Sequence, residues 1–178
     1  EMARLLSWGN APCSQWFDHT AAPAAPASST TTAPILIVGT TFDPATNRVW
    51  VMGNRSSGTG YLAEWDPATD TWTKRSTSPS GVNDRSGPLL DTKRRRLVFL
   101  GGGNVRMFDL TQPGMLVSQL ITLKGDAEIA LRDRPGFAYD PVNDKYVAYS
   151  GVESGGTRDI YIIDPVTWTS TRTTGCGR

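Results

Sequence analysis

The chain is poor in two residue types on which much catalytic and metal chemistry depends. Among its 178 residues there are two cysteines and one histidine. Cys13 and Cys176 lie near opposite ends, so they cannot form the close Cys-x-x-Cys pair of a metal or redox site. His19 is the only residue on which a Ser-His-Asp triad could be built. The sequence therefore predicts no cofactor, no metal and no catalytic residue.

Net charge is also lacking. Eighteen Lys and Arg face seventeen Asp and Glu, a formal charge of +1, so nucleic acid is not expected as a partner. The basic run Lys93–Arg96 is interpreted as the solvated tip of a hairpin rather than as a phosphate site. No window approaches the roughly 18 apolar residues of a membrane helix, and no membrane span is predicted.

The two cysteines leave two alternatives open. Cys13 and Cys176 are either two unrelated free thiols or a disulfide that ties the two ends of the chain together. The disulfide would need an oxidising compartment. The expected location is extracellular, periplasmic or at the cell surface.

The N-terminal part of the chain differs in composition from the rest. Residues 1–19 contain Trp8, Trp16 and Phe17 and are predicted to dock on another surface. Residues 20–33 are almost entirely Ala, Pro, Ser and Thr, which is typical of an extended linker or arm. Residues 34–178 are rich in β-branched and aromatic residues punctuated by glycine, which predicts strands. Residues 123–133 are the one helix-compatible stretch.

An internal repeat sets the architecture. Asp-led turns begin at Asp43, Asp91 and Asp140, and they recur after 48 and then 49 residues. Each is followed by a cation and an apolar strand that ends at glycine, and then by a second strand that ends at Asp66, Asp109 or Asp164. Trp72 and Trp168 are predicted to open a further strand in the first and third copies.

Each copy is therefore predicted to contain four short antiparallel strands, A to D. The fold class is all-β, a β-propeller of four-stranded blades at about 34–78, 82–124 and 132–174. Propellers typically close with 4 to 8 blades. Three blades thus predict a partial ring or half of a six-bladed ring, completed by self-association or by a partner chain.

These motifs resemble kelch repeats, the blade type of galactose oxidase-like propellers, over residues 34–174. The matching residues are Arg85-Ser-Gly87, Gly101–Gly103, Phe108-Asp109 and Trp72. The histidine that often follows Arg-x-Gly is replaced by Pro88 and Phe137. The resemblance implies the blade fold. It does not bring copper chemistry, because one histidine outside the repeats cannot supply that ligand set.

The stretch from Asp140 to Asp144 has two interpretations, a calcium loop or a turn. A calcium loop needs alternating oxygen ligands, a glycine and a closing bidentate acid. This stretch has too few ligands and no glycine, whereas Asp and Pro are the residues that begin hairpin turns. The sequence favours the turn.

The predicted ligand site lies at the other end of the blades. We call the end that carries the A–B and C–D turns the turn end, and the end that carries the B–C and D–A loops the loop end. Asp-Arg pairs recur in successive D–A loops, and their guanidinium groups suit carboxylates or sugar hydroxyls. The alternative is that Arg85 and Arg134 bridge neighbouring blades as structural residues. The candidate binding residues are Arg55, Asp84, Arg85, Asp133, Arg134, Glu153 and Arg158.

Three functional hypotheses follow. The first is a non-catalytic binding or assembly module that presents the loop end to a glycan or protein. The second is a fragment of a secreted carbohydrate-active enzyme whose catalytic residues lie in further blades. Within this chain, a pair such as Asp133 and Glu153 would be the candidate acids. The third is a structural subunit docked through its N-terminal arm.

Overall fold

Three sheets, each built on four antiparallel strands, account for most of the described chain, and the third gains a fifth, parallel strand at its edge. The computed structural model describes residues 6–8, 16–18, 35–55, 60–77, 87–132, 135–150 and 159–173. Near the N-terminus, β1 (Leu6–Trp8) and β2 (Trp16–Asp18) form a two-stranded hairpin. The sheets follow in chain order as blade 1, blade 2 and blade 3.

Blade 1 contains β3 (Ile35–Asp43), β4 (Arg48–Arg55), β5 (Gly60–Asp66) and β6 (Thr71–Thr77). Blade 2 contains β7 (Leu89–Asp91), β8 (Arg96–Gly101), β9 (Asn104–Asp109) and β10 (Gln119–Ile121). The crossover to blade 3 contains β11 (Lys124–Gly125) and a 3₁₀ helix (Ala127–Leu131). Blade 3 contains β12 (Gly136–Asp140), β13 (Lys145–Tyr149), β14 (Ile160–Ile163) and β15 (Thr169–Thr173).

Within every blade, consecutive strands are neighbours and run antiparallel. The predicted all-β fold of four-stranded antiparallel blades is confirmed. The meander also places the A–B and C–D turns at one end and the B–C and D–A loops at the other, as the sequence predicted. The division of the chain into a docking segment, a linker and a propeller stays a prediction.

Successive residues of β8 pack against opposite neighbours. Leu97 and Phe99 belong to a core shared with blade 1, where they meet Trp50. Val98 and Leu100 belong to a second core shared with blade 3. Side chains of a strand alternate between its two faces, so a strand covered on both faces must be apolar at every position. Each such side chain stabilises the fold by about 1.5–3 kcal/mol when fully buried.

The crossover segment covers the outer edge of blade 3. Strand β11 pairs in parallel with β15. The Lys124 N–H donates to the carbonyl oxygen of Trp168 at 2.9 Å, and the Asp126 N–H donates to that of Ser170 at 3.0 Å. Gly125 has φ +71°, and a Cβ there would lie 2.5 Å from the Ser170 carbonyl oxygen. Glycine is therefore required for the strand that satisfies this edge.

The 3₁₀ helix lies in the stretch that the sequence marked as helix-compatible. Its Ile129 is fully buried in the core between blades 2 and 3. No helix among the described residues is long and apolar enough to cross a membrane.

Candidate functional site

Five turns at the turn end share one construction. Each begins with an Asp whose carboxylate accepts a backbone N–H bond from within the turn. In the turn of blade 3, the N–H groups of Val142 and Asn143 donate to Asp140 at 2.9 and 3.1 Å. The interpretation of this stretch as a turn is confirmed. The fifth residue of each turn has positive φ: Asn47, Asp70, Arg95, Asp144 and Trp168.

One arginine of the blade 2 turn joins that blade to blade 1. Arg95 donates hydrogen bonds to both carboxylate oxygens of Asp43, at 2.7 and 2.6 Å. Asp43 is fully buried. Burial alone would raise the pKa of Asp43, but the bonds from Arg95 and Thr46 outweigh it and hold that pKa below its usual value. A bidentate pair of this kind fixes orientation as well as distance, so it sets how the two blades stack.

The neighbouring residues of the same turn join blade 2 to blade 3. Arg94 donates to the two carboxylate oxygens of Asp144 at 2.6 and 2.7 Å. Lys93 Nζ lies 2.6 Å from the same carboxylate. The hydrogen bonds from Arg94 and then Lys93 hold the pKa of Asp144 well below its usual range. Blade 2 thus supplies basic side chains that form ion pairs with acidic residues of both neighbouring blades.

A buried polar contact reinforces the joint between blades 2 and 3. The Tyr146 hydroxyl donates to Asp91 at 2.7 Å, and both residues are fully buried. Arg96 donates to that hydroxyl at 2.7 Å and to the Pro165 carbonyl oxygen at 2.5 Å. Its guanidinium also lies over the Trp168 ring, 4.8 Å from the centroid. Burial and the bond to Asp91 raise the pKa of Tyr146, so this hydroxyl stays neutral and structural.

The prediction that Lys93–Arg96 form a solvated tip is wrong for the three arginines. Only Lys93 is largely exposed, with 60% of its side chain accessible. Arg94, Arg95 and Arg96 are bound to neighbouring blades. The sequence indicated the turn but not the blades that lie on either side of it. The charges of the turn end are therefore part of the scaffold.

The depressed acid pKa values predict a loss of stability in acid. A carboxylate whose pKa is lower in the folded than in the unfolded chain stabilises the fold above about pH 4, and this stabilisation is lost as pH falls below that. For Asp144 we expect the Asp144→Asn variant to melt at a lower temperature at neutral pH. Its melting temperature should also fall less than that of the wild type between pH 5 and pH 2.

Asparagine suits this test because it tolerates the positive φ of position 144. Thermal unfolding followed by circular dichroism across that pH range checks the prediction. Identical pH profiles for variant and wild type would show that Arg94 and Lys93 add nothing to the stability of the joint.

The sequence-predicted site falls mostly outside the described residues. Arg55 is the last residue of β4 and so lies at the loop end, but its side chain is not described. The other six candidates lie outside the described ranges, as do both cysteines: Asp84, Arg85, Asp133, Arg134, Glu153, Arg158, Cys13 and Cys176. Their proximity to one another and the disulfide stay predictions.

A shallow apolar groove of about 290 Å³ is described at this same end, between β10 and the 3₁₀ helix. The Gly102 and Gly103 N–H groups donate to the carbonyl oxygens of Arg132 and Ala130, at 2.9 and 2.8 Å. These bonds hold the helix against the B–C turn of blade 2. Leu131 is 72% exposed at the rim of the groove. The other apolar lining residues are Val105, Leu120, Ile121, Leu123, Ala127 and Ala130.

The repeat pattern did not predict this groove. The sequence signals that could have found it are the apolar residues between Leu120 and Leu131, the last of which directly precedes the charged run Arg132–Arg134.

A charged cluster beside the crossover has a structural role. Arg172 lies 2.6 Å from Asp159 and 3.5 Å from Glu128. The Tyr161 hydroxyl donates to Glu128 at 3.2 Å, and burial together with Glu128 raises the pKa of Tyr161. These contacts fasten the 3₁₀ helix to blade 3. Within the described ranges, no group of three or more His, Cys, Asp or Glu could hold a metal ion.

Comparisons with known proteins bear on the fold more than on the family. Residues 2–60, about a third of the chain, match the family model described as TAP-like protein. No curated protein matches the sequence. Among solved structures, the crystal structure of a nidogen/laminin complex is similar, with a TM-score of 0.58 at 10% sequence identity. The match covers 90% of this chain and 52% of that chain, so this chain spans about half the length of that relative. The likeness shows a β-propeller-like fold.

Proposed function

We propose that this chain is a non-catalytic binding module, a kelch-like propeller portion that holds a protein partner at its loop end. The observation that carries the proposal is the contrast between the two ends of the blades. At the turn end, Arg94, Arg95 and Arg96 are engaged with neighbouring blades. At the loop end, an apolar groove opens to solvent between β10 and the 3₁₀ helix.

The character of the groove favours a protein over a glycan. Leu120 and Leu131 are large apolar side chains, 58% and 72% exposed, at the rim of the same groove. Contiguous exposed apolar surface bordered by polar residues marks protein interaction sites. A leucine or aromatic side chain of a partner would fill this groove, because its walls are mostly apolar.

We assign the polar part of this site to the charged D–A loops that the sequence predicts. Arg134 follows Leu131 by three residues, and Arg85 occupies the matching position in the preceding D–A loop. Arginine binds carboxylates through two parallel hydrogen bonds and is enriched at the centres of interfaces. The proposed partner is therefore a protein that presents an apolar side chain next to an acidic group.

The structural relative is compatible with a protein partner. It is a complex of two proteins, nidogen and laminin. An extracellular or cell-surface location belongs to the same proposal.

Photo-cross-linking tests the proposal. A p-benzoylphenylalanine at position 131 is expected to trap one discrete protein in extracts of the source cells. The matched control is the same group at Val142, which is 89% exposed but lies at the turn end. We expect no specific product from position 142.

Two outcomes would contradict the proposal. Equal products from positions 131 and 142 would show that the two ends do not differ in binding. Hydrolysis of a glycoside panel by the purified chain would favour the carbohydrate-active enzyme instead.

A further inference from the structure

Blade 3 has two faces of unequal exposure. On one face, Tyr146 and Tyr161 are fully buried in the core shared with blade 2. On the other face, Tyr149 and Ile160 lie side by side in the register of β13 and β14, and they are 40% and 39% exposed. We call this second face the open face. Its remaining apolar members are Ala138, Val147 and Ile162.

The equivalent positions of blades 1 and 2 are covered. Tyr149 is the tenth residue counted from Asp140, and Met52 and Leu100 hold the same place after Asp43 and Asp91. Met52 and Leu100 are 2% and 1% exposed. Both pack in the core shared with the next blade. The open face therefore has the composition of a blade interface without a blade against it.

The Asp that begins the A–B turn shows the same difference. Asp43 and Asp91 are fully buried, and each accepts a hydrogen bond from a side chain of the next blade, Arg95 and Tyr146 respectively. The described partners of Asp140 all belong to its own turn: the N–H groups of Val142 and Asn143 and the Asn143 amide. The Asp140 carboxylate of blade 3 can thus accept a hydrogen bond from a donor outside the chain.

We propose that the open face packs against the open face of a second copy of this chain. Blade 1 offers a poorer match, because the face that it turns away from blade 2 is buried at its centre, with Val51 and Ala63 at 1% and 5% exposure, and exposes Phe42 (52%) only at its turn end. Among the described residues, blade 3 has the face on which two adjacent large apolar side chains, Tyr149 and Ile160, are both exposed, and a two-fold axis brings this face against itself. This inference concerns a different surface from the loop-end site and does not depend on it.

The charges on the open face are self-complementary. Strand alternation places Asp140, Lys145 and Asp164 together at its turn end, and Lys145 Nζ lies 2.6 Å from Asp164. A two-fold axis parallel to the strands sets the turn ends of the two copies side by side. Lys145 of each copy then supplies a donor to Asp140 of the other, because an ammonium group has three N–H bonds to give.

The test is the mass of the chain in solution, by light scattering across a range of concentrations. We expect a species of twice the 19.3 kDa chain mass. Ile160→Lys and Tyr149→Lys each place a charge on the open face. Both variants are expected to be monomers that still unfold in one cooperative thermal transition. The matched control, Leu131→Lys, places the same charge at an exposed apolar position of the loop end and should remain dimeric.

Lys145→Ala is expected to raise the dimer dissociation constant more than fivefold at low salt and less at high salt, because it removes two symmetric ion pairs. A monodisperse monomer of the wild type at every concentration would overturn the proposal. So would a dimer that survives Ile160→Lys, or one that dissociates only with Leu131→Lys.

Discussion

Replacing Arg95 with alanine is expected to lower the free energy of unfolding by about 3 kcal/mol or more. The reason lies with its partner, since Asp43 is fully buried and takes two hydrogen bonds from the Arg95 guanidinium. Without Arg95, this carboxylate keeps only the donors of its own turn. Removing Arg95 leaves the Asp43 carboxylate buried without a counter-charge. The desolvation penalty of this carboxylate then remains, while the attraction that offset it is lost.

The matched control lies two residues earlier in the same turn. Lys93→Ala removes a cation that also contacts an acid of a neighbouring blade, but its side chain is 60% exposed. Exposed pairs contribute up to about 1 kcal/mol, so the loss should be a small fraction of that for Arg95. Urea unfolding at neutral pH measures both.

A double-mutant cycle separates the pair from other effects of the substitution. Asp43→Asn removes the charge but keeps an amide oxygen for the turn. If the two residues act as a pair, the Asp43→Asn/Arg95→Ala variant should lose less stability than the two single variants together, by about 1–3 kcal/mol. Additive losses, or equal small losses for Arg95→Ala and Lys93→Ala, would show that the blades do not depend on this ion pair.

The features that the sequence predicted well are the Asp-led turns, which depend on neighbouring residues only. An Asp followed by Pro determines its own turn, because the carboxylate accepts N–H bonds from residues two and three positions later. The period of the turns then indicated the blades. The sequence did not predict that Arg94 would bind Asp144, because these residues are 50 positions apart and meet only when two blades stack.

Trp168 shows how a local pattern misled. The sequence predicted that it opens strand D, by analogy with Trp72. In the structure Trp168 is the fifth residue of its turn, with φ +58°, and β15 begins after it. Its equivalent in blade 1 is Asp70. Its ring packs against Tyr146 and lies under the Arg96 guanidinium, so tertiary contacts stabilise an aromatic residue where the turn alone would favour Asn or Asp.

The loop end could be predicted only in part. The repeat indicated that charged D–A loops lie there, at Arg85 and Arg134. The groove described at the loop end is formed by residues from β9, β10 and the 3₁₀ helix. Their apolar character is visible in the sequence, but their proximity depends on how the crossover packs against the B–C turn of blade 2.

The second large effect concerns this loop end. We expect the Arg85→Ala/Arg134→Ala double variant to lose binding of the partner trapped from position 131. Arginine is enriched among the interface residues whose truncation costs more than about 1 kcal/mol, so two such losses weaken binding by on the order of 30-fold. Stability should change little, because other arginines, Arg75, Arg94, Arg95 and Arg96, already join neighbouring blades in the described part of the chain.

The alternative role of Arg85 and Arg134 as blade-bridging residues makes the opposite prediction. Lys93→Ala at the turn end is the control for general loss of positive charge. The most direct measurement is the affinity of the double variant for that partner, with the melting temperature taken on the same preparation. Lost affinity with an unchanged melting temperature is the result we predict. A melting temperature lowered by several degrees, with unchanged affinity in the folded fraction, would contradict the assignment of the loop end as the binding surface.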